Sequence, residues 1–269
     1  MGEKKNYIVV SLSGGKDSTA MLIRMIELGE HIDEVIFCDT YKEFPAMYKH
    51  IEKVKAVVES IGIKFTILKN DKSFDYMMLE YRPENAKGFF GKYQNLKGKS
   101  WATNQVRWCT KEMKMKVIGK HLRELAKQYT IIQCVGIAAD EYRRIERKGN
   151  NEKNKRLPLV EWGWSEADCL KYCYGKGYDW GGLYEIYDRA SCWCCPLQSL
   201  KSLRNLQIHF PDLWEELKDM ESKTWRKFRA DYSVADLEKR FAFEEERKKN
   251  NLPIKGKDFY KQLNQRLCA

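Results

Sequence analysis

Short apolar runs alternate with amphipathic stretches over the first 140 residues. Tyr7 to Ser13 (YIVVSLS) reads as a buried strand, Glu34 to Cys38 (EVIFC) is a second short apolar run, and Lys64 to Leu68 (KFTIL) and Thr130 to Gly136 (TIIQCVG) read as the third and fourth strands. Between them, Ser18 to Leu28, Pro45 to Ile61 and Lys111 to Ala126 carry apolar residues at helical spacing. In the second of these, Met47, Ile51, Val54, Val57, Val58 and Ile61 mark the stripe. Strand–helix alternation predicts an α/β fold, an open and mostly parallel sheet with helices on both faces. Such sheets bind ligands beyond the carboxyl ends of their strands. Three polar segments fall there and are expected to converge on one crevice: Ser13–Ser18, Asp39–Glu43 and Gly136–Arg144.

The pattern changes after Trp164. Ser165 with Asp168 three positions on reads as a helix cap, although Glu or Gln is preferred at the second place. A glycine-rich aromatic stretch (GKGYDWGGLYEIY) and a cysteine cluster follow. From Leu200 onward the pattern is helical and charged, and the tail from Asn250 reads as weakly ordered apart from a short helix near Phe259. The expected organisation is an α/β domain over 1–164, then a cysteine loop and helical region over 165–269.

At 269 residues and 43% hydrophobic content, the chain suffices for one good-sized core with a smaller lobe. No apolar run reaches the length of about 18 residues that a membrane span needs. The opening MGEKKNYIVV lacks a long apolar stretch, so a cytoplasmic, reducing setting is expected. There, nine cysteines suggest metal binding or catalysis more than disulfides. The net charge of +11 is uneven. Nine Lys/Arg against one Glu lie between Ala86 and Lys120, and seven against two Glu between Tyr142 and Arg156, leaving the remainder slightly acidic. These segments suit a surface facing nucleotide phosphates or nucleic acid; two solvated loops are the plainer alternative. Phe89, Phe90, Tyr93, Trp101 and Trp108 in the first segment are candidates for base stacking or for the core.

The stretch SLSGGKDSTA at 11–20 joins the first strand to the first helix. Gly14 and Gly15 let backbone N–H groups approach an anion, the helix adds its positive end, and Lys16 adds a mobile charge. Ser11, Ser13 and Ser18 offer hydroxyls. Asp17 after the lysine separates this phosphate cradle from the usual triphosphatase loop, which has Ser or Thr there. Farther on, Cys192-Trp193-Cys194-Cys195-Pro196 offers two close thiol spacings, and Cys109 in RWCTKEMK is a further candidate. Iron–sulfur and zinc ligation both fit such thiols. Cys38 and Cys134 on strands, and the helical pair Cys169 and Cys173, read as packing residues.

SGGKDS resembles the signature of the adenine nucleotide alpha-hydrolase superfamily, the PP-loop ATP pyrophosphatases. CDTYKEFPAMY (38–48), GIAADEYRR (136–144) and PLVEWGWSEADCLKYC (158–173) are similar to segments of its phosphoadenosine phosphosulfate reductase branch. Together they extend the likeness from Tyr7 to Leu197. The resemblance implies a Rossmann-like, HUP-type sheet that binds an adenine nucleotide. ATP phosphates would lie on Ser13–Ser18 with Mg²⁺, Asp17 and Asp39 would hold the metal or its waters, and Thr40 would line the second loop. Gly136, Asp140 and Glu141 would face the ribose or metal, while Arg143, Arg144, Arg147 and Arg156 would clamp phosphate or sulfate. It also implies a [4Fe–4S] cluster on Cys109, Cys192 and Cys195, with Cys194 as a fourth ligand or a free catalytic thiol beside Lys16 and Asp17. A zinc site on the same four cysteines is the alternative. Adenylylsulfate reductases of this kind have paired cysteines at the first locus, where Trp108 stands here.

Three functions are compatible with that likeness. One is cleavage of ATP to AMP and pyrophosphate to adenylate an acceptor, nucleic acid included, for sulfur transfer. Another is reduction of an adenylylated sulfate with release of sulfite, though Cys268 in QRLCA lacks the Glu-Cys-Gly-Leu-His tail of the reductases. The third is nucleotide binding without turnover, in regulation or defence. A sulfur-donor or reductant protein is the implied partner, with self-association left open.

Overall fold

The computed structural model describes residues 4–82, 96–147, 149 and 154–268. Phe89, Phe90 and Tyr93 lie outside the described residues. Contacts gather the chain into two units, Met1–Asp71 with Cys109–Cys192, and Lys72–Trp108 with Trp193–Ala269.

The first unit is the α/β part. Its order is β1 (Asn6–Leu12), α1 (Lys16–Glu27), β2 (Glu34–Asp39), α2 (Pro45–Ser60) and β3 (Lys64–Lys69). A π-helical turn at Thr110–Met115 then leads into α3 (Lys116–Leu125) and β4 (Thr130–Val135). Next come α4 (Tyr142–Ile145), β5 (Lys155–Arg156), α5 (Pro158–Glu161), α6 (Glu166–Gly175), a 3₁₀ turn at Trp180–Gly182 and α7 (Leu183–Ile186). All strand pairs are parallel and the sheet order is β3-β2-β1-β4-β5, the expected Rossmann-like architecture. Every residue of β2 is buried, as strands covered on both faces require. The chain winds outward from β1 to β3, then returns to the other side of β1 to place β4. That reversal makes the β1–β4 boundary the switch point, where the loops at the carboxyl ends part and leave a crevice.

The strands match the sequence reading within a residue or two, apart from β5, whose two residues are both basic and have no apolar pattern to reveal them. The Ser165 cap is present: its hydroxyl accepts from Asp168 N–H at 3.2 Å, and Asp168 accepts from Ser165 N–H at 2.9 Å. Asp therefore closes the capping box here without the longer side chain. Cys134, Cys169 and Cys173 are buried, as expected for packing residues, and the Cys38 thiol donates to the Met113 carbonyl at 3.1 Å.

The second unit is helical, with a π-helical turn at Tyr76–Glu80 and four helices: α8 (Leu200–His209), α9 (Pro211–Ser222), α10 (Val234–Lys249) and α11 (Lys257–Cys268). Trp214 on α9 packs against Phe241 on α10 and donates to Glu238 at 2.9 Å. The tail from Asn250 is not weakly ordered: α11 occupies most of it. Phe259 and Leu263 are fully buried, and the Phe259 ring stacks on Phe243 at 5.4 Å. The helix carries so narrow an apolar stripe in so charged a segment that its period is hard to see. No described helix is long and apolar enough to cross a membrane.

Glu34 is a buried carboxylate at the start of β2. Burial pushes its pKa up, but hydrogen bonds from Thr66, Lys64 and His121 outweigh that and hold it below the usual range. A depressed carboxylate adds stability above its unfolded pKa, and that stability is lost as pH falls through the folded value. Urea midpoints measured from neutral to acid pH should therefore decline. Glu34→Gln is expected to flatten that slope and to cost about 1–3 kcal/mol at neutral pH.

Candidate functional site

The loop between β1 and α1 is shaped by its glycines. Gly14 has φ +84°, a backbone region that side chains disfavour, and a Cβ there would come within 2.6 Å of Met47 Sδ. Its carbonyl accepts from the Trp180 indole at 2.7 Å. Gly15 caps α1 in extended conformation with no side chain serving the first N–H groups. The Lys16 amide instead donates to the Tyr184 hydroxyl at 2.9 Å. Ser18 Oγ accepts from Ser13 N at 3.1 Å and donates to the Gly15 carbonyl at 3.1 Å, while the Ser13 hydroxyl lies 2.9 Å from it. Ser11 sits one step back on β1 and accepts from Gln133 at 2.8 Å.

The loop after β4 meets this one. Gly136 approaches the start of α1 so closely that a Cβ would stand 2.7 Å from Ser18 Cα and 2.8 Å from Ser18 N. Asp17, Glu141 and Glu166 gather there, each offering a carboxylate oxygen within 4.8 Å of the others. Among the described residues this is the one group of three potential ligands drawn so close. Lys16 Nζ lies 3.1 Å from Glu166 and 3.4 Å from Asp17. Asp17 Oδ1 is buried and accepts no hydrogen bond. Burial raises the Asp17 pKa; Lys16 opposes this, and Glu166 and Glu141 add to it. Glu141 is braced by Arg144 at 2.7 Å and has Arg189 3.7 Å away. Asp140 accepts from the Glu166 N–H at 3.1 Å and so caps α6, placing Glu166.

The second expected loop serves a different cluster. Asp39 is buried and occupied by structural partners: Tyr41 N at 2.7 Å, the Tyr48 hydroxyl at 2.9 Å and Lys69 at 3.1 Å. Thr40 donates to Glu43 at 3.1 Å, and Cys192 Sγ lies 3.6 Å from both. Lys114, on the π-helical turn that Cys109 caps, reaches Glu43 at 3.5 Å. Burial lowers the Lys114 pKa, but Glu43 and then Cys192 outweigh it and hold the ammonium above its usual value. Burial pushes the half-buried Cys109 thiol up. The second unit contains Cys194, which is buried, and Cys195, which is half-buried.

The remaining basic candidates divide. Arg143 and Arg147 are both exposed, on and just after the short α4. Arg156 is not a phosphate clamp: Glu30 and Glu161 take its guanidinium, the latter at 2.7 Å and 3.0 Å. Glu166, Tyr184, Trp180 and Lys114 escaped the sequence reading. Glu166 had a signal, an acid in the first turn of a capped helix, whereas nothing local pointed Tyr184 at a loop 168 residues earlier.

A glycine turn at the switch point, with its helix start, buried lysine and carboxylates, belongs to a nucleotide-type α/β fold. Residues 7–198 match the phosphoadenosine phosphosulfate reductase domain, and the chain belongs to that family, within the adenine nucleotide alpha-hydrolase superfamily. It is also 28% identical over 225 residues to an uncharacterized protein of Methanocaldococcus jannaschii, covering 80% of this chain and 42% of that protein. The chain thus spans less than half of that relative's length.

The Gly136–Ser18 approach is a sharp test of the crevice. Gly136→Ala forces backbone apart and is expected to destabilise by about 1–3 kcal/mol. A thermal melt should register that as a fall of several degrees, at about 2–4 °C per kcal/mol.

Proposed function

We propose that the chain is an ATP-dependent adenylating enzyme whose product is resolved by sulfur. The carrying observation is the half-buried Asp17 carboxylate beside the Gly14–Gly15 turn, ion-paired with Lys16 at 3.4 Å and drawn close to Glu141 and Glu166. Amides at a helix start favour phosphate oxygens, and Lys16 is close enough to follow them. Asp17, Glu141 and Glu166 offer oxygen donors, the kind Mg²⁺ prefers, and would hold the ion that accompanies the nucleotide. Bound there, it would supply positive charge to offset that of the phosphates.

An acceptor oxygen attacks the α phosphorus, the bond to the bridging β oxygen breaks, and pyrophosphate leaves. A sulfide-level sulfur, supplied by a donor protein, then attacks the acceptor carbon and AMP departs with the oxygen. Lys16 stabilises the leaving pyrophosphate, and Asp140 keeps Glu166 in place through the α6 amide. Ser11, Ser13, Ser18, Thr40, Asp39, Gly136, Arg143 and Arg144 are supporting residues of the nucleotide loops in this reading.

Cys109, Cys192, Cys194 and Cys195 are the proposed ligands of an iron–sulfur cluster. Lys114 supports this, since an ammonium beside Cys192 favours the ligating thiolate. Such a cluster supplies a thiolate-bound iron surface for sulfur chemistry. Anaerobically purified protein should contain iron and acid-labile sulfide and absorb broadly in the visible. Cys192→Ser should lose both, whereas zinc in colourless protein would remove the cluster.

The family's own description favours one other reading, reduction of an adenylylated sulfate. The two separate by product. Pyrophosphate release from ATP, dependent on Mg²⁺ and acceptor, supports adenylation; sulfite release without ATP consumption supports reduction. Asp17→Asn should lower pyrophosphate release by about a hundredfold or more. Because burial raises the Asp17 pKa in the metal-free chain, the acid limb of kcat/KM, which reports the free enzyme, should fall at a higher pH than an ordinary aspartate would give.

A further inference from the structure

The second unit holds a cavity of about 630 Å³, in the range that binds a small ligand. Its walls include Asn104, Pro196, Trp225, Arg226, Lys227 and Arg229. Its Trp225 to Asp231 wall lies beyond the region that matches the family, while Asn104 and Pro196 lie within it.

Each wall has a distinct chemistry. The Trp225 indole donates to the Gly98 carbonyl at 3.2 Å, which fixes the ring. The Arg226 guanidinium lies 4.8 Å from the centre of that ring, so a flat cation and a flat aromatic share one place. Among the described residues no carboxylate pairs with Arg226, whereas the neighbouring Lys227 reaches Asp236 at 3.5 Å. Asn104 is exposed and brings an amide with both donors and an acceptor. Beneath, Phe228 is buried against Trp101 at 4.9 Å, which keeps the floor apolar. Arg229 donates to the carbonyls of Pro196 at 3.0 Å and Gln198 at 2.7 Å and pairs with Asp231 at 2.9 Å. It is a brace rather than a ligand group, and it ties the segment just after Cys195 to the Trp225 loop.

We propose that this cavity seats a nucleotide of single-stranded nucleic acid, with the base against Trp225 and its phosphate at Arg226 and Lys227. Stacking on an aromatic plane beside a cation, with an amide at the edge, is what an unpaired base requires. An acidic peptide would use the charges and leave the ring idle. Arg226, Lys227 and Arg229 against the single Asp231 leave this wall net positive, which favours the same partner. The inference deepens the adenylation reading by naming the acceptor's class, and it rests on that reading only for what the strand is for. The seat follows Cys195 directly in the chain through Pro196.

The test uses the full-length protein without ATP or Mg²⁺, so it does not depend on turnover. A fluorescein-labelled single-stranded oligouridine of about ten nucleotides is titrated by anisotropy. Saturable binding is expected, weakened about ten- to hundredfold by Trp225→Ala and likewise by Arg226→Gln. Arg226→Gln, which leaves the indole and the fold of the loop in place, should also lower the slope of log affinity against log salt by about 0.7. The proposal is overturned if wild-type protein does not bind, or if Arg226→Gln binds with unchanged affinity and slope. It is equally overturned if polyglutamate displaces the oligonucleotide as well as unlabelled oligouridine does. Loss of binding with pyrophosphate release intact would sink the seat alone; the reverse would sink the adenylation reading alone.

Discussion

Two backbones cross at the centre of the α/β unit with no room for a side chain between them. Gly136 leaves β4 where Ser18 opens the first turn of α1, and a single added carbon would sit 2.7 Å from the Ser18 Cα. Parallel pairing of β1 with β4, in register from Asn6 against Thr130 to Ser11 against Val135, delivers both strands to that crossing. The contact fixes the distance between the first and fourth loops. It therefore also fixes how near Glu141, carried by one loop, comes to Asp17, carried by the other. Close packing of main chain brings Asp17 and Glu141 together, and Asp140, through the Glu166 amide, adds the third carboxylate.

Electrostatics then sorts the unit into two chemically different places. At the crevice, Lys16 offsets Asp17 and Glu166, and Arg144 offsets Glu141. At the second loop, a buried glutamate, a lysine and a cysteine face one another through Glu43, Lys114 and Cys192. Oxygen donors gather at the first and sulfur lies at the second. Asp39, at the second loop, is already satisfied by Tyr41, Tyr48 and Lys69.

Much of the architecture was legible because β1 to β4 are short, apolar-rich segments, with β2 buried throughout and the edge strand β3 the least covered. The Ser165 cap and the glycine turn were legible for local reasons, a hydroxyl and an acid three residues apart and two adjacent glycines. What escaped was long-range or unpatterned. The two basic residues of β5 are held as strand by their neighbour, not by their own character. Helix α11 shows few apolar positions among many charges. Trp180 and Tyr184 reach the glycine turn only because the chain folds back across more than a hundred residues. Arg156 looked like an anion clamp by composition, yet two glutamates from distant parts of the chain consume it.

The phenol of Tyr184 holds the very amide that opens α1. An oxyanion arriving at the turn competes for that donor, and a single N–H serves one short acceptor well. Occupancy of the turn is thereby coupled to the whereabouts of a tyrosine eight residues ahead of Cys192. Gly181 and Gly182, both in left-handed conformation, lie just before Tyr184 and give the backbone that carries it latitude to yield. A filled turn and an empty one would therefore differ in where Tyr184 sits, on the stretch of chain that leads to Cys192.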